Sequence, residues 1–278
     1  VDDTLQNVKF SGLAWRGNEG LYYSTYELPE SGSRYSGKNE EHMLMYHEIG
    51  TAQENDELIF GGEDQPRRYV IGYMTEDDQY LIISGANQTT GNELYVLPVG
   101  SDEVRTLIGP GEIANKENNI IHSVGEDLYL KTNYKAPNYK VVKVNINNPE
   151  PENWETIIPE TENVLQVRTG GGYFFAEYME DVVSKVVQYK YDGTKVRDID
   201  LPGLGNAGGF SGKEEDETLY YSFSSFTYPS TIFSFGVESG ESEKFWQPEI
   251  DFNFDVLAKA SFGFGDVNAC VIFSAYKN

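Results

Sequence analysis

Residues 120–146 read IIHSVGEDLYLKTNYKAPNYKVVKVNI. A short apolar run, 120–124, is closed by the turn Gly125-Glu126-Asp127. A second run, Leu128-Tyr129-Leu130, follows at once, and a third, 141–146, alternates apolar and polar residues after a Pro-containing loop. Short apolar stretches joined by tight polar turns describe an antiparallel meander. The same unit recurs along the chain. Leu21-Tyr22-Tyr23-Ser24, Tyr80-Leu81-Ile82-Ile83-Ser84, Tyr173-Phe174-Phe175 and Leu219-Tyr220-Tyr221-Ser222 take the place of Leu128-Tyr129-Leu130. They return every ~45–60 residues, a period that belongs to repeat architectures.

Each anchor is preceded by a turn cluster, at 16–20, 76–78, 170–172 and 213–216, and before that by another apolar stretch, at 8–15, 69–74, 164–167 and 209–211. Third runs follow at 43–49, 94–99, 186–191 and 232–237, and weaker fourth runs at 58–60, 104–108, 154–158 and 196–201. Four short strands per unit predict an all-β protein, a β-propeller of about five four-stranded antiparallel blades. The blades are expected at about 8–60, 67–109, 118–160, 163–201 and 205–250, within a propeller spanning 1–255. The tail, 256–278, supplies either extra strands that close the ring or a strand that leads into another domain. No window of 12 or more residues sustains a helical apolar period, which excludes an α-solenoid. Residues 27–41 lack any period and read as a long exposed hairpin loop.

Composition narrows the function. The 278 residues carry 45 acidic against 21 basic side chains, a net charge of −24. Such a charge repels nucleic-acid phosphates and anionic lipid, so neither is expected as a partner, and a cationic partner is favoured. With 20 Tyr and 15 Phe the chain has ample material for a core,. The lone Cys270 makes no internal disulfide, no apolar run is long enough to span a bilayer, and the first residues are acidic,. The expected location is cytoplasmic.

The chemistry available is sparse. There are three histidines, His42, His47 and His122. Strand alternation places His42 and His47 on opposite faces, so they form no common site, and His122 reads as a structural residue in an apolar strand. Gly209-Phe210-Ser211-Gly212 lacks the spacing and the strand-to-helix context of a nucleophile elbow,. Gly203-Leu204-Gly205-Asn206-Ala207-Gly208 matches a dinucleotide fingerprint, but strands follow it where a helix is needed, so it reads as an inter-blade loop,. Acidic clusters such as Glu76-Asp77-Asp78 read as solvated hairpin tips, without calcium-loop spacing,. No catalytic residue, metal site or cofactor is expected.

Several longer strings carry a resemblance. Residues 8–15 with Gly20-Leu21-Tyr22-Tyr23-Ser24-Thr25-Tyr26, and Tyr46-His47-Glu48-Ile49-Gly50-Thr51 with Gln53 and Asp56, are similar to the third blade of the prolyl oligopeptidase family propeller. Lys131-Thr132-Asn133-Tyr134 and Pro137-Asn138-Tyr139 resemble that family's Thr-Asn and Pro-Asn-Tyr signature. Gly209-Phe210-Ser211-Gly212 with residues 219–230 resembles its last blade. The likeness covers about residues 5–255 and corresponds to the last five of the family's seven blades.

This resemblance implies a propeller that caps an α/β-hydrolase domain and screens out large substrates, in a serine peptidase that cleaves short peptides after proline. It implies that two blades precede this stretch and that the Ser-Asp-His triad lies outside it, so the chain alone is expected to be inactive. Short proline-containing peptides are the implied partners once a hydrolase domain is joined. Position by position, the resemblance carries over two substrate-binding residues, Phe10 and Tyr69. The family's arginine-containing loop falls on Gly85-Ala86-Asn87, so that part of the subsite is altered. In a lone propeller, Phe10 reads as a channel-facing strand residue. Two alternatives stand beside this reading. One is a free-standing binding module that presents its channel mouth to a peptide or protein partner; open blade edges would also allow self-association. The other is a five-bladed glycosidase, which needs two facing carboxylates.

Overall fold

The computed structural model describes residues 3–26, 40–226 and 228–249, and the strands 256–262 and 268–274. Residues 27–39 of the expected long loop lie outside the described residues. The chain divides into two compact units, Val1–Leu165 and Gln166–Asn278.

The first unit holds three sheets. In the first, β1 (Val8–Arg16), β2 (Gly20–Thr25), β3 (Met43–Glu48) and β4 (Glu57–Gly61) pair in chain order. The second contains β5 (Tyr69–Met74), β6 (Tyr80–Ala86), β7 (Glu93–Pro98) and β8 (Arg105–Ile108). The third contains β9 (Asn118–Val124), β10 (Asp127–Thr132), β11 (Lys140–Asn145) and β12 (Glu155–Ile158). The second unit repeats the pattern twice. Its strands are β13 (Gln166–Gly170), β14 (Tyr173–Glu180), β15 (Val183–Tyr189) and β16 (Lys195–Asp198), then β17 (Asn206–Ser211), β18 (Thr218–Ser225), β19 (Tyr228–Gly236) and β20 (Ser242–Trp246). All pairings are antiparallel, so the five four-stranded meanders expected from the repeat are present. In the tail, β21 (Val256–Phe262) and β22 (Asn268–Ser274) bond to each other as a separate hairpin. The fingerprint-like glycine string is part loop and part strand, because β17 begins at Asn206.

The recurrent anchor runs are the second strands, and their composition follows from where they sit. β2 is buried along its whole length, β6 and β10 on both faces over most of theirs, and β14 at residues 174–176 and 178. A strand covered on both faces gains from apolar residues at every position, so it reads as a continuous run rather than an alternation. Between the first and second sheets lie Ala14, Tyr22, Leu44, Val70, Leu81 and Ile83. Between the second and third lie Ile82, Leu94, Val96, Ile120, Leu128 and Val142. In the second unit β18 alternates instead, with Tyr221 and Phe223 buried and Tyr220 exposed.

Polar staples join neighbouring segments. Asn118 is fully buried; its Nδ2 donates to the carbonyls of Asn92, Ile113 and Lys116, and its Oδ1 accepts from Thr132 at 2.7 Å. Asn133 Oδ1 accepts the Glu117 amide. Asn138 Nδ2 donates to the carbonyls of Thr161 and Glu162, and the Tyr139 hydroxyl donates to Glu117. In the first sheet, the buried His47 Nδ1 lies 2.7 Å from Asp56 Oδ1, while Tyr23 donates to Asp56 Oδ2 and Gln53 donates to the Tyr23 oxygen. Burial, then the Asp56 hydrogen bond, push the Tyr23 phenol up to about 12. Gln53 also exchanges hydrogen bonds with the backbone of Gln6, which fixes the first segment against this sheet.

Gly209-Phe210-Ser211-Gly212 is a β-bulge and no elbow. Gly209 faces Tyr221 and Ser211 faces Tyr220, leaving Phe210 as the extra residue. Its φ of 54° turns the ring into the core,. There it stacks on Tyr221 at 4.4 Å and on Phe175 at 5.4 Å, and meets the edge of Phe235 at 5.6 Å. Replacing Phe210 with Ala removes a fully buried ring from this stack. The substitution is expected to destabilise the second unit by ~3–5 kcal/mol in urea unfolding. A loss below about 1 kcal/mol would mean the stack is not a stability centre.

Candidate functional site

The two positions carried over from the resemblance come together at one end of the first two sheets. Phe10 lies in an irregular part of β1. Val8 pairs with Thr25 and Leu13 with Tyr23, so β1 spends five steps where β2 spends two. The surplus bows out Phe10-Ser11-Gly12, with Phe10 at a φ of 51°. Ser11 compensates for the lost ladder, since its Oγ accepts the Ser24 amide at 2.6 Å. The bow leaves the Phe10 ring 62% exposed.

Tyr69 opens β5 and is 45% exposed. Its ring meets Phe10 edge-to-face, with centroids 5.7 Å apart. Tyr26 sits beneath, 6.4 Å from Phe10, and the buried His42 completes the group at 4.5 Å from Tyr26 and 5.8 Å from Tyr69. Burial, then the neighbouring Tyr69 hydroxyl, push the Tyr26 phenol up to about 12, so it stays a neutral donor,. The result is a small aromatic wall, apolar on its open side and hydrogen-bonded underneath. Such a surface can take an apolar ring or side chain of a peptide by edge and face contact.

The backbone beneath the wall is tightly specified. Val70 donates its amide to His42 Nδ1 at 2.9 Å, and its carbonyl accepts from Ser24 Oγ at 2.7 Å. The Gly62 amide donates to the His42 carbonyl. Gly61, at a φ of 97°, lets that carbonyl approach, because a Cβ there would lie 2.4 Å from it. Beside Tyr69, Arg68 is buried. Its guanidinium pairs with the buried Glu93 at 3.1 Å and lies over the Phe60 ring at 4.5 Å. Gly85 makes room for it, since a Cβ there would lie 3.0 Å from Arg68 Cδ.

The histidines occupy separate places. His42 precedes β3 and bonds to backbone groups, His47 pairs with Asp56, and His122 is buried against Tyr129. Strand alternation gives His42 no common site with His47, and its partners are peptide groups, which no motif displays. The first strands of the five sheets carry no Asp or Glu, so a glycosidase lacks its paired carboxylates at the positions where they were sought,. Among the described residues no cluster of three or more metal-ligating side chains occurs, and no helix is long and apolar enough to cross a membrane.

Comparison with known proteins places this geometry. Residues 1–248 match the family model described as prolyl oligopeptidase, N-terminal beta-propeller domain. The chain is 46% identical over 253 residues to the prolyl endopeptidase of Elizabethkingia miricola, covering 91% of this chain and 36% of that protein. The same figures hold for the prolyl endopeptidase of Elizabethkingia meningoseptica. A solved chain from a study of two prolyl endopeptidases and the role of inter-domain dynamics superposes with a TM-score of 0.79. Identity there is 29%, over 98% of this chain and 39% of that one. Prolyl oligopeptidase B from Galerina marginata, bound to a 25mer macrocyclization substrate, shares the fold with a TM-score of 0.78 at 23% identity, over 96% of this chain and 38% of that one. The chain thus spans about a third of the length of the curated relatives it matches,. With its five meanders and the match over residues 1–248, the chain belongs to the prolyl oligopeptidase N-terminal β-propeller family.

Proposed function

We propose that this propeller acts as lid and size filter for a serine peptidase that cleaves short peptides after proline, with Phe10 and Tyr69 forming part of the wall that contacts the peptide. The observation that carries the reading is the pair of exposed rings held 5.7 Å apart at one end of adjacent sheets, in a chain of this family. The three histidines support an inactive isolated chain, because each is buried and none lies beside a serine in a nucleophile elbow,. The single cysteine supports a reducing, cytoplasmic setting,.

The purified 278-residue chain is expected to release no chromophore from a Gly-Pro reporter peptide. Turnover that co-purifies with the chain and is blocked by a serine-reactive inhibitor would refute the non-catalytic reading. Titration calorimetry with a proline-containing pentapeptide tests the wall itself. Phe10→Ala is expected to weaken binding about tenfold, equivalent to ~1.4 kcal/mol. An unchanged affinity would remove Phe10 from the contact.

Self-association is a second reading, and a separate observation favours it. Leu13, Trp15 and Leu58 are exposed on the first sheet, and Tyr220, Phe245 and Trp246 on the fifth. These apolar residues, together with the unpaired sheet edges, would bring two copies together, while a charge of −24 on each drives them apart,. Light scattering should therefore show the mass rising toward a dimer as salt increases from about 0.05 to about 0.5 M. A monomer at both concentrations would rule the reading out.

A further inference from the structure

Phe10 and Tyr69 stand on strands of different sheets, and β1 shares no ladder with β5. His42 reaches both strands. Its Nδ1 accepts the Val70 amide proton at 2.9 Å, and its Nε2 lies 3.0 Å from the Lys9 carbonyl. A backbone amide only donates and a carbonyl only accepts, so the two contacts together fix the tautomer. Nδ1 carries the lone pair, and Nε2 carries the proton that is given to Lys9. Lys9 immediately precedes Phe10, and Val70 immediately follows Tyr69. The imidazole therefore grips the two peptide units next to the two exposed rings. Its own backbone is held from the other side, where Gly62 donates to its carbonyl and Gly61 leaves room for that approach.

We propose that His42 is a positioning residue, which in its neutral form holds Phe10 and Tyr69 in edge-to-face contact and on protonation lets the two strands part and the peptide contact weaken. This inference rests on the reading of those two rings as peptide contacts. The chemistry is a mismatch of donors. An imidazolium carries a proton on both nitrogens, so Nδ1–H would point at the Val70 N–H, and the hydrogen bond would give way to repulsion between two donors.

The surroundings do not compensate for the charge. Facing the ring are the Lys9 carbonyl from β1, the Tyr26 phenol after β2, and the Val70 amide and Tyr69 phenol from β5. Among the described residues, the groups that shift its titration include no carboxylate. Burial holds the His42 pKa below its ordinary value, and the Lys9 carbonyl opposes this in part. The sign is then fixed. Above the ordinary histidine value of about 6.5 the ring is neutral in every state and the pin is intact. As the pH falls below that value, states that expose the imidazole take up the proton first, so acid favours opening.

The test follows the Val70 amide by hydrogen exchange in NMR, on the full 278-residue chain, from about pH 8 to pH 5. Affinity for a proline-containing pentapeptide is measured on the same samples. In the unaltered chain the protection of Val70 should fall about tenfold relative to Val96, and peptide affinity should fall about fivefold. His42→Gln offers one acceptor and one donor that do not titrate, so both quantities should be flat with pH. Val70 protection that tracks Val96 throughout, or acid sensitivity that persists in His42→Gln, would overturn the proposal. Should that variant fail to fold, the ring titration of the unaltered chain decides. The His42 midpoint must coincide with Val70 opening, and separated midpoints refute the pin. A peptide affinity that ignores Phe10→Ala while the two midpoints coincide refutes the contact reading, and with it the positioning role, but not the pin itself.

Discussion

Coverage of a β-sheet on both faces is the constraint from which the rest of this structure follows. Once both faces are buried, the second strand of a sheet has no side to give to water and becomes apolar throughout, as β2 and β6 are,. Buried polar residues are then a minority beside the apolar core. Several of these residues pair with one another. Asn118 with Asn92 and Thr132, His47 with Asp56, and Arg68 with Glu93 each satisfy groups that would otherwise be costly to bury,. The family-like strings owe their appearance to these staples. Thr132, Asn133, Asn138 and Tyr139 close turns and hold neighbouring segments, and none of them faces a candidate substrate.

The first strands escape the constraint in part, and that is where function can be placed. Both Phe10 and Phe210 occur in a Phe-Ser-Gly triplet at an irregularity of a first strand, and both have positive φ. Their fates are opposite. One extra residue in β17 drives Phe210 into the core, whereas the longer bow in β1 lifts Phe10 into the open beside Tyr69. The same local chemistry thus yields a buried core ring in one sheet and an exposed ring in another, depending on how far the strand departs from register,.

This pair also marks the limit of what the residues reveal in advance. The strands were legible because apolar runs and polar turns repeat, whereas Phe10 and Tyr69 were singled out only through the resemblance. The bow at Phe10-Ser11-Gly12 was not, since register is set by pairing with β2 and by Ser11 reaching the Ser24 amide. Nor was His42, whose partners are the peptide groups of Lys9 and Val70 on two other strands. Arg68 gave no sign that it would be buried, because its partner Glu93 lies 25 residues away in sequence. Backbone partners and long-range pairs leave no spacing to read, so they emerge only when the sheets are assembled.

Contact of a peptide with the wall formed by Phe10 and Tyr69 is the core of the proposed function, and it can be observed without any catalysis. Nuclear Overhauser transfer from the ring protons of a bound proline-containing pentapeptide would report it residue by residue. Cross-peaks from the peptide's proline to the rings of Phe10 and Tyr69, and none to Tyr220 or Phe245 on the exposed face of the fifth sheet, are expected. Cross-peaks only to that outer face, or to no aromatic ring at all, would refute the placement of the peptide site.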